Sequence, residues 1–492
     1  MHYFFPHISA PLISGLGYPS FDSGWLPLIS QDRTRSYRTV NHALGAVPSI
    51  VDVQVKSLDA PNDGFIFRGY GNGERDDDNN EPYGGVVYVY NDVDVLVIAP
   101  KAHNHRYPVG GSAIYTGEAP YWTGPNTQSS HAVQIRVRCW LEGALPVPCY
   151  NASDILMRSS SQNQNDTYQE LEHGLERYPS LVRVRARLSQ ARAPQWYTDA
   201  QGSSVINFGV EGNWWKTGGL KFGYNDATIR LWTSSRQKFG RLFTATDGWG
   251  REMGEMTTGV VDVAVWCDVN APLSYSAQVD FGPGIPEEQL EVPLPPGTPF
   301  LDDMYIQLLV KVNDNPNRGY LFDVVGSAMT NTLNPGLPCA YGGLIVAYSQ
   351  NMIRMWRPND DSGASVCIPV NFGQGLNSQA AQEGVLIVRI YAVYGALVEG
   401  LLQYPPVFVC SHYSLLYRDK GYEFPPIEIK HNLTSLAECD SACRSYRDCV
   451  TFTYDDSSNC GMYNKTDLSL VYDKDGCEIW TLFDRSYEGD EN

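Results

Sequence analysis

One phrase of the sequence, a β-hairpin signature that occurs three times, constrains the fold more than any other feature. The copies are YGGVVYVYNDVDVLVIAP (residues 83–100), TGGLKFGYNDATIRLWT (217–233) and YGGLIVAYSQNMIRMWRP (341–358). Each has a Gly-Gly pair, an aromatic residue directly before a turn, and a second apolar run. Runs of β-branched and aromatic residues around a turn pair such as Asn91-Asp92 predict a hairpin. The pattern therefore predicts a tandem array of one β module.

The residues around the hairpin also repeat in the same order. NHALGAVP (41–48) corresponds to EHGLERYP (172–179), 131 residues later, and the turns at Asn91 and Asn225 lie 134 residues apart. Nearly equal offsets over such a distance indicate internal duplication. The third copy diverges more: a Pro-rich spacer covers 293–299, and NPNRGYLF (315–322) parallels PNDGFIF (61–67).

Many short strands with frequent turn signals predict a mainly β protein. We expect three tandem antiparallel β-sandwich modules of jelly-roll type and a smaller disulfide-rich α+β domain. The predicted boundaries are a tail at 1–18, modules at 19–150, 151–272 and 273–403, and a C-terminal domain at 404–492. The longest apolar runs fall far short of the ~20 residues that cross a bilayer, so no membrane span is predicted.

The C-terminal region has its own cysteine pattern. Residues 435–444 predict a helix, with Ser435 as N-cap and Glu438 three residues later. Residues 408–485 resemble a PAN/apple domain, on the pattern Cys-x3-Cys-x5-Cys, then VTFTY (450–454) and a further cysteine. The resemblance implies a non-catalytic module that binds proteins or carbohydrates. It also implies the disulfides Cys410–Cys477, Cys439–Cys460 and Cys443–Cys449.

The repeats carry a looser resemblance. They resemble β-sandwich modules of invertebrate extracellular proteins, and the opening with Trp25, His42 and Pro48 is similar to that of H-type lectins. This second likeness implies lectin-like binding and assigns no binding residue.

The remaining cysteines and the glycosylation sequons indicate in which cellular compartment the protein resides. Cys139–Cys149 and Cys339–Cys367 are the expected local bridges, which leaves Cys267 either as a buried thiol or as an intermolecular partner. Spacing without paired CxxC knuckles favours disulfides over zinc. Four N-x-S/T sequons accompany them, at Asn151, Asn165, Asn432 and Asn464. Together these features predict a secreted, extracellular glycoprotein.

The first fifteen residues fit that compartment poorly. They lack the basic region of a signal peptide and contain two prolines. We therefore expect the true start of the protein to differ from Met1.

Charge excludes one class of partner and suggests another. The net charge is −19, from 55 acidic and 36 basic residues, which argues against a sequence-independent hold on nucleic acid. Asp76, Asp77 and Asp78 cluster oxygen ligands suited to Ca²⁺, without the Gly and Glu of an EF-hand loop. A solvated acidic turn is the alternative interpretation.

Four aromatic residues are candidates for ligand binding. Tyr121, Trp122, Trp214 and Trp215 fall in loop-like contexts, where exposed rings stack on sugars or anchor proteins. By contrast, Trp232 and Trp356 occupy equivalent hairpin positions, which favours a place in the core.

The histidines give no catalytic signal. His42 and His173 recur at matched positions, which favours a structural hydrogen bond. His103 and His105 could place two imidazoles on one side of a strand, with no third metal ligand nearby in sequence. Since neither a nucleophile motif nor a phosphate loop is present, the sequence does not predict an enzyme.

Two functions fit these features. The first is a non-catalytic structural or adhesive subunit of an extracellular assembly, in which the N-terminal tail pairs with a strand edge of the next molecule to form a filament. The alternative is a lectin-like protein that binds extracellular carbohydrates or proteins.

Overall fold

The computed structural model describes two compact units. In the first unit (Met1–Val398) it describes residues 16–75, 82–101, 111–189, 194–207, 216–246, 248–267, 269, 275–283, 285–294, 304–330 and 336–394. In the second unit (Glu399–Asn492) it describes five strands. Strands dominate both units, which confirms the predicted mainly β class.

The strands of the first unit fall into three repeats. Repeat 1 comprises β1 (Leu16–Gly17), β2 (Phe21–Asp22), β3 (Leu26–Ile29), β4 (Tyr37–Asn41), β5 (Ile50–Ser57), β6 (Ile66–Arg68), β7 (Glu74–Arg75), β8 (Val87–Tyr90), β9 (Asp94–Ile98), β10 (Ile114–Tyr115), β11 (Trp122–Thr123), β12 (Ser129–Ser130) and β13 (Ala132–Trp140).

Repeat 2 comprises β14 (Tyr150–Arg158), the short helix α1 (Gln164–Thr167), β15 (Tyr168–Glu172), β16 (Leu181–Leu188), β17 (Tyr197–Asp199), β18 (Thr217–Gly218), β19 (Leu220–Tyr224), β20 (Thr228–Thr233), β21 (Gly240–Arg241), β22 (Phe243–Ala245), β23 (Gly254–Met256) and β24 (Thr258–Trp266).

Repeat 3 comprises β25 (Tyr275–Phe281), β26 (Glu291–Pro293), β27 (Met304–Val312), β28 (Leu321–Asp323), β29 (Tyr341–Gly342), β30 (Ile345–Tyr348), β31 (Met352–Pro358), β32 (Gly363–Ala364), β33 (Val366–Ile368), β34 (Gln379–Ala381) and β35 (Gly384–Tyr394). Single 3₁₀ turns occur at Glu142–Ala144, Glu287–Leu290 and Gly373–Gly375.

Three large sheets form the body of this unit, and seven strands of each follow the same order and come from two repeats. Sheet 1-2 has the order β14-β24-β16-β17-β8-β9-β4, sheet 2-3 the order β25-β35-β27-β28-β19-β20-β15, and sheet 3-1 the order β3-β13-β5-β6-β30-β31-β26. The hairpin of each repeat thus continues the sheet of the next, and the hairpin of repeat 3 returns to repeat 1. Three short strands of repeat 1 add to these sheets: β1 pairs with β35 in sheet 2-3, and β2 and β11 pair with β13 and β31 in sheet 3-1.

This cyclic sharing differs from the three separate sandwiches expected from the sequence. The predicted hairpins are present as β8–β9, β19–β20 and β30–β31. Apolar–polar alternation determines which face a strand buries, but it does not determine which other strand lies beside it. The pattern therefore identified the hairpins correctly but did not indicate which sheet each hairpin would join.

The aromatic residue before each hairpin turn lies at a joint between repeats. The three pairs that join the sheets are Tyr90 with Tyr197, Tyr224 with Leu321, and Tyr348 with Ile66. Arg183 Nη2 donates a hydrogen bond of 2.5 Å to the hydroxyl of Tyr90, and Gln54 Nε2 donates one of 3.0 Å to that of Tyr348. At two of the three joints the recurring tyrosine therefore supplies a polar link to the next repeat, and Tyr90 also stacks on the ring of Tyr197.

Two arginines add a second link at two of these joints. Arg230 Nη1 donates to Asn317 Oδ1 at 2.8 Å, and Arg354 Nη1 donates to Asn62 Oδ1 at 2.8 Å. Each guanidinium also lies over an aromatic ring of the next repeat, at 4.3 Å and 4.1 Å from the ring centroid. The matching segments PNRG (316–319) and PNDG (61–64) thus bind the hairpin of the preceding repeat.

The Gly-Gly pair recurs because both positions exclude a side chain. The second glycine has a positive φ in every repeat, 116° at Gly85, 105° at Gly219 and 95° at Gly343. A Cβ at the first glycine would lie 1.7 Å from a carbonyl oxygen at Gly218 and 2.5 Å from one at Gly342. Any side chain at these two positions would either clash with a neighbouring carbonyl or force an unfavourable backbone conformation, so both positions require glycine.

Equivalent residues of the three repeats also form one apolar cluster, and Leu16 is part of it. Its main members are Ile50 with Trp140, Leu181 with Trp266, and Tyr305 with Tyr391, each pair lying opposite in a ladder. Trp140 Nε1 donates a 2.8 Å hydrogen bond to the carbonyl of Gly17. The folded body thus includes Leu16, which the sequence pattern assigned to the tail.

The disulfides correct one sequence prediction and confirm another. Cys339 and Cys367 are bonded, as expected. Cys149 is bonded to Cys267, with Cα atoms 5.9 Å apart, and Cys139 is a buried free thiol. The predicted Cys139–Cys149 bridge is therefore wrong, because the start of β14 lies beside the end of β24 and Cys139 faces the core.

Removing the Cys149–Cys267 bridge should destabilise the first unit substantially. The bond closes a loop with a sequence separation of 118 residues, and such a cross-link lowers the entropy of the unfolded chain. We expect the double variant Cys149→Ser/Cys267→Ser to lose about 2–4 kcal/mol of unfolding free energy, measured by urea titration. Cys139→Ser under the same conditions is the control without a cross-link. Equal midpoints for the bridge variant and the wild type would contradict this expectation.

The second unit has one antiparallel sheet among its described strands. They are β36 (Tyr413–Tyr422), β37 (Glu428–Lys430), β38 (Thr451–Asp455), β39 (Cys460–Tyr463) and β40 (Val471–Leu482), in the order β36-β40-β38-β39-β37. The predicted helix at 435–444 and the cysteines Cys410, Cys439, Cys443 and Cys449 lie outside the described residues. Cys460 and Cys477 lie in β39 and β40, and their implied partners stay predictions.

Candidate functional site

The candidate aromatic site of repeat 1 lies mostly in the core. Trp122 is 2% exposed, and its Nε1 donates a 3.2 Å hydrogen bond to Thr330 Oγ1. Tyr121 is half-buried with its ring edge-on to Tyr341. Trp122 is therefore a packing residue, which corrects its prediction as a ligand-binding ring. The predicted core positions of the hairpin tryptophans, Trp232 and Trp356, are confirmed by complete burial.

Several predicted site residues lie outside the described part of the chain. These are the acidic residues Asp76, Asp77 and Asp78, the aromatics Trp214 and Trp215, the histidines His103 and His105, and the sequons Asn432 and Asn464. The calcium site and the second aromatic site therefore stay predictions.

The matched histidines have the same hydrogen bonds in both repeats. The Nδ1 of His42 accepts from the N–H of Leu44, and the Nδ1 of His173 accepts from that of Leu175. This leaves Nε2 to donate to the carbonyl of the hairpin-turn asparagine, at 3.2 Å in each case. The expected structural role is thereby confirmed for both residues.

A surface cleft of about 430 Å³ lies between the edges of two sheets. One wall is formed by β2 and β3 at the edge of sheet 3-1, and the other by β4 at the edge of sheet 1-2. The sequence offered no signal for this cleft, because it arises where strands of different sheets meet.

The β4 wall presents unpaired backbone groups. Just outside the ladder, Ala99 N–H donates to the Ser36 carbonyl and His42 N–H donates to the Val93 carbonyl, so the even-numbered residues of β4 are the ones that form hydrogen bonds with β9. The N–H and C=O groups of Tyr37, Thr39 and Asn41 consequently point away from β9, and Thr39 and Asn41 line the cleft. Among the described residues, nothing is bonded to these groups.

The opposite wall offers fewer free backbone groups, because Pro27 has no N–H and its carbonyl is already bonded. The N–H groups of Ser23 and Ser30 bond toward β13, so the backbone groups of Asp22 and Pro27 face the cleft. Arg38 Nε spans the gap and donates a 2.8 Å hydrogen bond to the carbonyl of Pro27. Chemically, the cleft is suited to an extended chain that bonds to a strand edge.

A polar cluster lies where the three repeats meet inside the body. Arg68, Asp199 and Asp323 hold the same position of β6, β17 and β28. Arg68 Nη1 lies 3.2 Å from Asp323 Oδ2, and Arg183 Nη2 lies 2.8 Å from Asp199 Oδ1. Burial raises the pKa of Asp323, and the Arg68 guanidinium opposes this shift. Two arginines thus balance two aspartates.

The space beside this cluster is small. Arg68, Tyr88, Asp199 and Asp323 line a cavity of about 20 Å³, which has room for one water molecule. The hydroxyl of Tyr88 donates to Asp199 at 2.9 Å. The cluster therefore holds the repeats together and leaves no space for a substrate.

A second buried ion pair, Glu74 with Lys221, links repeats 1 and 2. The Lys221 ammonium contacts the Glu74 carboxylate and donates a 2.9 Å hydrogen bond to Gln201 Oε1. Glu74 Oε2 accepts from Val205 N at 2.9 Å and from Ser204 Oγ at 3.2 Å. Burial raises the pKa of Glu74 and lowers that of Lys221, while the ion pair opposes both shifts.

The sequence contains an indication of the Glu74–Lys221 pair that our sequence analysis missed. In the three copies of the hairpin the Gly-Gly pair is followed by Val-Val, Leu-Lys and Leu-Ile. Lys221 is the one charged residue at a position that is otherwise apolar, and it is completely buried. A charged residue at a position that is apolar in the other repeats indicates a buried partner of opposite charge, because an unpaired buried charge is strongly unfavourable.

Comparison with known proteins adds no family. No protein-family model matches the chain, and no curated protein matches it. Within the described residues, no group of three or more histidine, cysteine, aspartate or glutamate side chains is arranged to hold a metal ion. No helix in that part of the chain is long and apolar enough to span a membrane.

Proposed function

We propose that the protein is a secreted, non-catalytic glycoprotein that acts as a structural or adhesive subunit of an extracellular assembly. The observation that carries the proposal is the cleft between β2–β3 and β4, where two strand edges face each other. Backbone groups on an open edge add a strand from another chain by main-chain hydrogen bonding. The Cys149–Cys267 and Cys339–Cys367 bridges support an oxidising compartment.

The occupant that we propose for the cleft is the segment 1–15 of a second copy of the chain. This segment is aromatic and apolar (MHYFFPHISAPLISG), and it directly precedes Leu16, which is anchored in the core. An apolar segment that adjoins an anchored residue would let one molecule donate a strand to the next. Because donor and acceptor lie on the same chain, the contact repeats and builds an open filament.

Thr39→Pro tests this function at the acceptor edge. Proline removes the N–H of Thr39, which points to the cleft, and it leaves the ladder to β9 intact. We expect the wild type to form concentration-dependent polymers in light scattering and ordered fibres in negative stain. Thr39→Pro and a deletion of residues 1–15 should both yield monomers at the same concentrations.

The matched control is Thr39→Val, which keeps the backbone donor and the strand conformation. Thr39→Val should polymerise as the wild type does. Polymers of Thr39→Pro that equal those of Thr39→Val would exclude the β4 edge as the acceptor. Monomers of the wild type at all concentrations would reject the assembly itself.

A lectin-like function is the second candidate, and the polar side chains at the cleft favour it. Among the described residues, Arg38 makes one side-chain hydrogen bond, from its Nε to the carbonyl of Pro27. Asn41 donates to Asp94 at 3.2 Å, which leaves its side-chain oxygen as an acceptor. Side-chain donors and acceptors beside the Phe21 ring suit a sugar, and the PAN/apple resemblance of the second unit supports such binding. Glycan-array signals that Arg38→Ala and Asn41→Ala weaken would favour this function over assembly.

A further inference from the structure

Asn151 lies on an exposed strand at the outer edge of sheet 1-2. Its strand, β14, pairs with β24 on one side and with no other described strand. The Asn151 side chain is exposed, and so is Ser153, which completes the sequon Asn-Ala-Ser. The register shifts just after this point, where Asp154 has a φ of 58°. The acceptor amide is thus accessible beside an irregular part of the edge.

The remainder of β14 presents an open edge with apolar side chains. The N–H of Ser159 bonds to the carbonyl of Thr257, so the backbone groups of Leu156 and Arg158 point away from β24. Leu156 is 41% exposed, and Val147, just before the strand, is 81% exposed. An unpaired edge with exposed apolar residues invites strand addition and aggregation unless something covers it.

We propose that Asn151 carries an N-linked glycan that covers the β14 edge and prevents self-association there. The glycan is a large hydrated chain, and its attachment point lies five residues before Leu156 on the same strand. It excludes a second protein from the edge by its volume. This proposal rests on the proposed secretion of the protein and is independent of assembly through β4.

The chain contains its own control at Asn165. That sequon lies in α1, where Asn165 is exposed while the hydroxyl-bearing Thr167 is buried and donates to the carbonyl of Gln164. Asn165 thus lies in a helical turn and not on the β14 strand. Loss of a glycan at Asn165 therefore changes the sugar content of the protein without removing a glycan from β14.

The test uses the full chain secreted from a eukaryotic host, in a Thr39→Pro background that blocks the β4 edge. Peptide mass spectrometry should find a glycan on Asn151. Asn151→Gln and Ser153→Ala should each at least double the weight-average mass in light scattering at high concentration, whereas Asn165→Gln should not change it. Adding Leu156→Lys to Asn151→Gln should restore monomers, because a charge on an open edge opposes pairing.

Enzymatic removal of glycans from the folded protein avoids any failure of the variants to fold. Deglycosylated protein should associate as Asn151→Gln does, and prior Leu156→Lys should prevent it. An unmodified Asn151, or an Asn151→Gln variant that stays monomeric, would overturn the proposal. Because β4 is blocked throughout, these outcomes do not depend on whether the protein forms filaments.

Discussion

Raising the pH above 10 should unfold the first unit cooperatively. Burial raises the pKa of Tyr70, Tyr88, Tyr90, Tyr224 and Tyr305 above the ordinary tyrosine value of 10.0. The folded state therefore keeps protons that the unfolded state loses above pH 10. The stabilisation is complete below pH 10 and is lost as the pH rises further.

The expected effect is large because many phenols act together. Each such tyrosine lowers the unfolding free energy by about 1.4 kcal/mol per pH unit above 10. Five tyrosines therefore remove roughly 7 kcal/mol by pH 11, which is comparable with the whole stability of a typical domain, ~5–15 kcal/mol. Burial likewise raises the pKa of the Cys139 thiol to about 12, which acts in the same direction.

Two signals recorded together check this expectation. The tyrosinate absorbance of the buried phenols and the circular dichroism of the strands should change in one transition, because these phenols ionise only when the sheets open. Tyr224→Phe keeps the ring and removes one phenol, so its loss of stability at pH 11 should be smaller by about 1.4 kcal/mol. Ionisation of these tyrosines with the strand signal intact would contradict the mechanism.

Glu74→Ala should be among the most destabilising single substitutions. It leaves the Lys221 ammonium buried without its counter-ion, a change that typically costs about 3–5 kcal/mol. Lys221→Met should have a similar effect, since it leaves the Glu74 carboxylate buried alone. Both values can be measured as shifts of the urea midpoint.

The double variant Glu74→Met/Lys221→Met should recover most of that loss. Val87 and Ile345 hold the position of Lys221 in the other two hairpins, so the surroundings accept an apolar side chain there. Replacing a buried pair by apolar residues of similar volume is often neutral or stabilising. A double variant no more stable than either single one would show that the ion pair itself is required.

The exposed pair Lys101–Glu252 is the matched control. Glu252 is 55% exposed, and its oxygen lies 2.5 Å from Lys101 Nζ. Glu252→Ala should cost no more than about 1 kcal/mol, because water screens such pairs. The contrast with Glu74→Ala separates the effect of burial from that of pairing.

The sequence predicted local structure well and long-range pairing poorly. The three hairpins, the structural role of His42 and His173, and the Cys339–Cys367 bridge followed from patterns within short stretches. The Cys149–Cys267 bridge did not, because its cysteines come together only when β14 pairs with β24. Aligning the repeats on Trp140 and Trp266 would have shown that Cys139 directly precedes Trp140, whereas Cys267 directly follows Trp266. The two cysteines are therefore not equivalent.

The candidate site was still harder to predict. The cleft is formed by the edges of two sheets, and the sequences of β2, β3 and β4 do not indicate that these strands lie at an edge. Trp122 stood out because loop contexts favour exposure, yet a segment of repeat 3 around Thr330 covers it. Both cases depend on which repeat lies next to which, and short-range patterns do not contain that information.

The return of the third hairpin to the first repeat imposes an order on folding. Tyr348 must pair with Ile66, and Gln54 must reach the same tyrosine across 294 residues of chain. Sheet 3-1 therefore stays incomplete until β31 has left the ribosome, about 15–60 s after β6 at ordinary synthesis rates. During that interval the edge of β6 is open, and the nascent chain needs protection that a chain of independent sandwiches would not need.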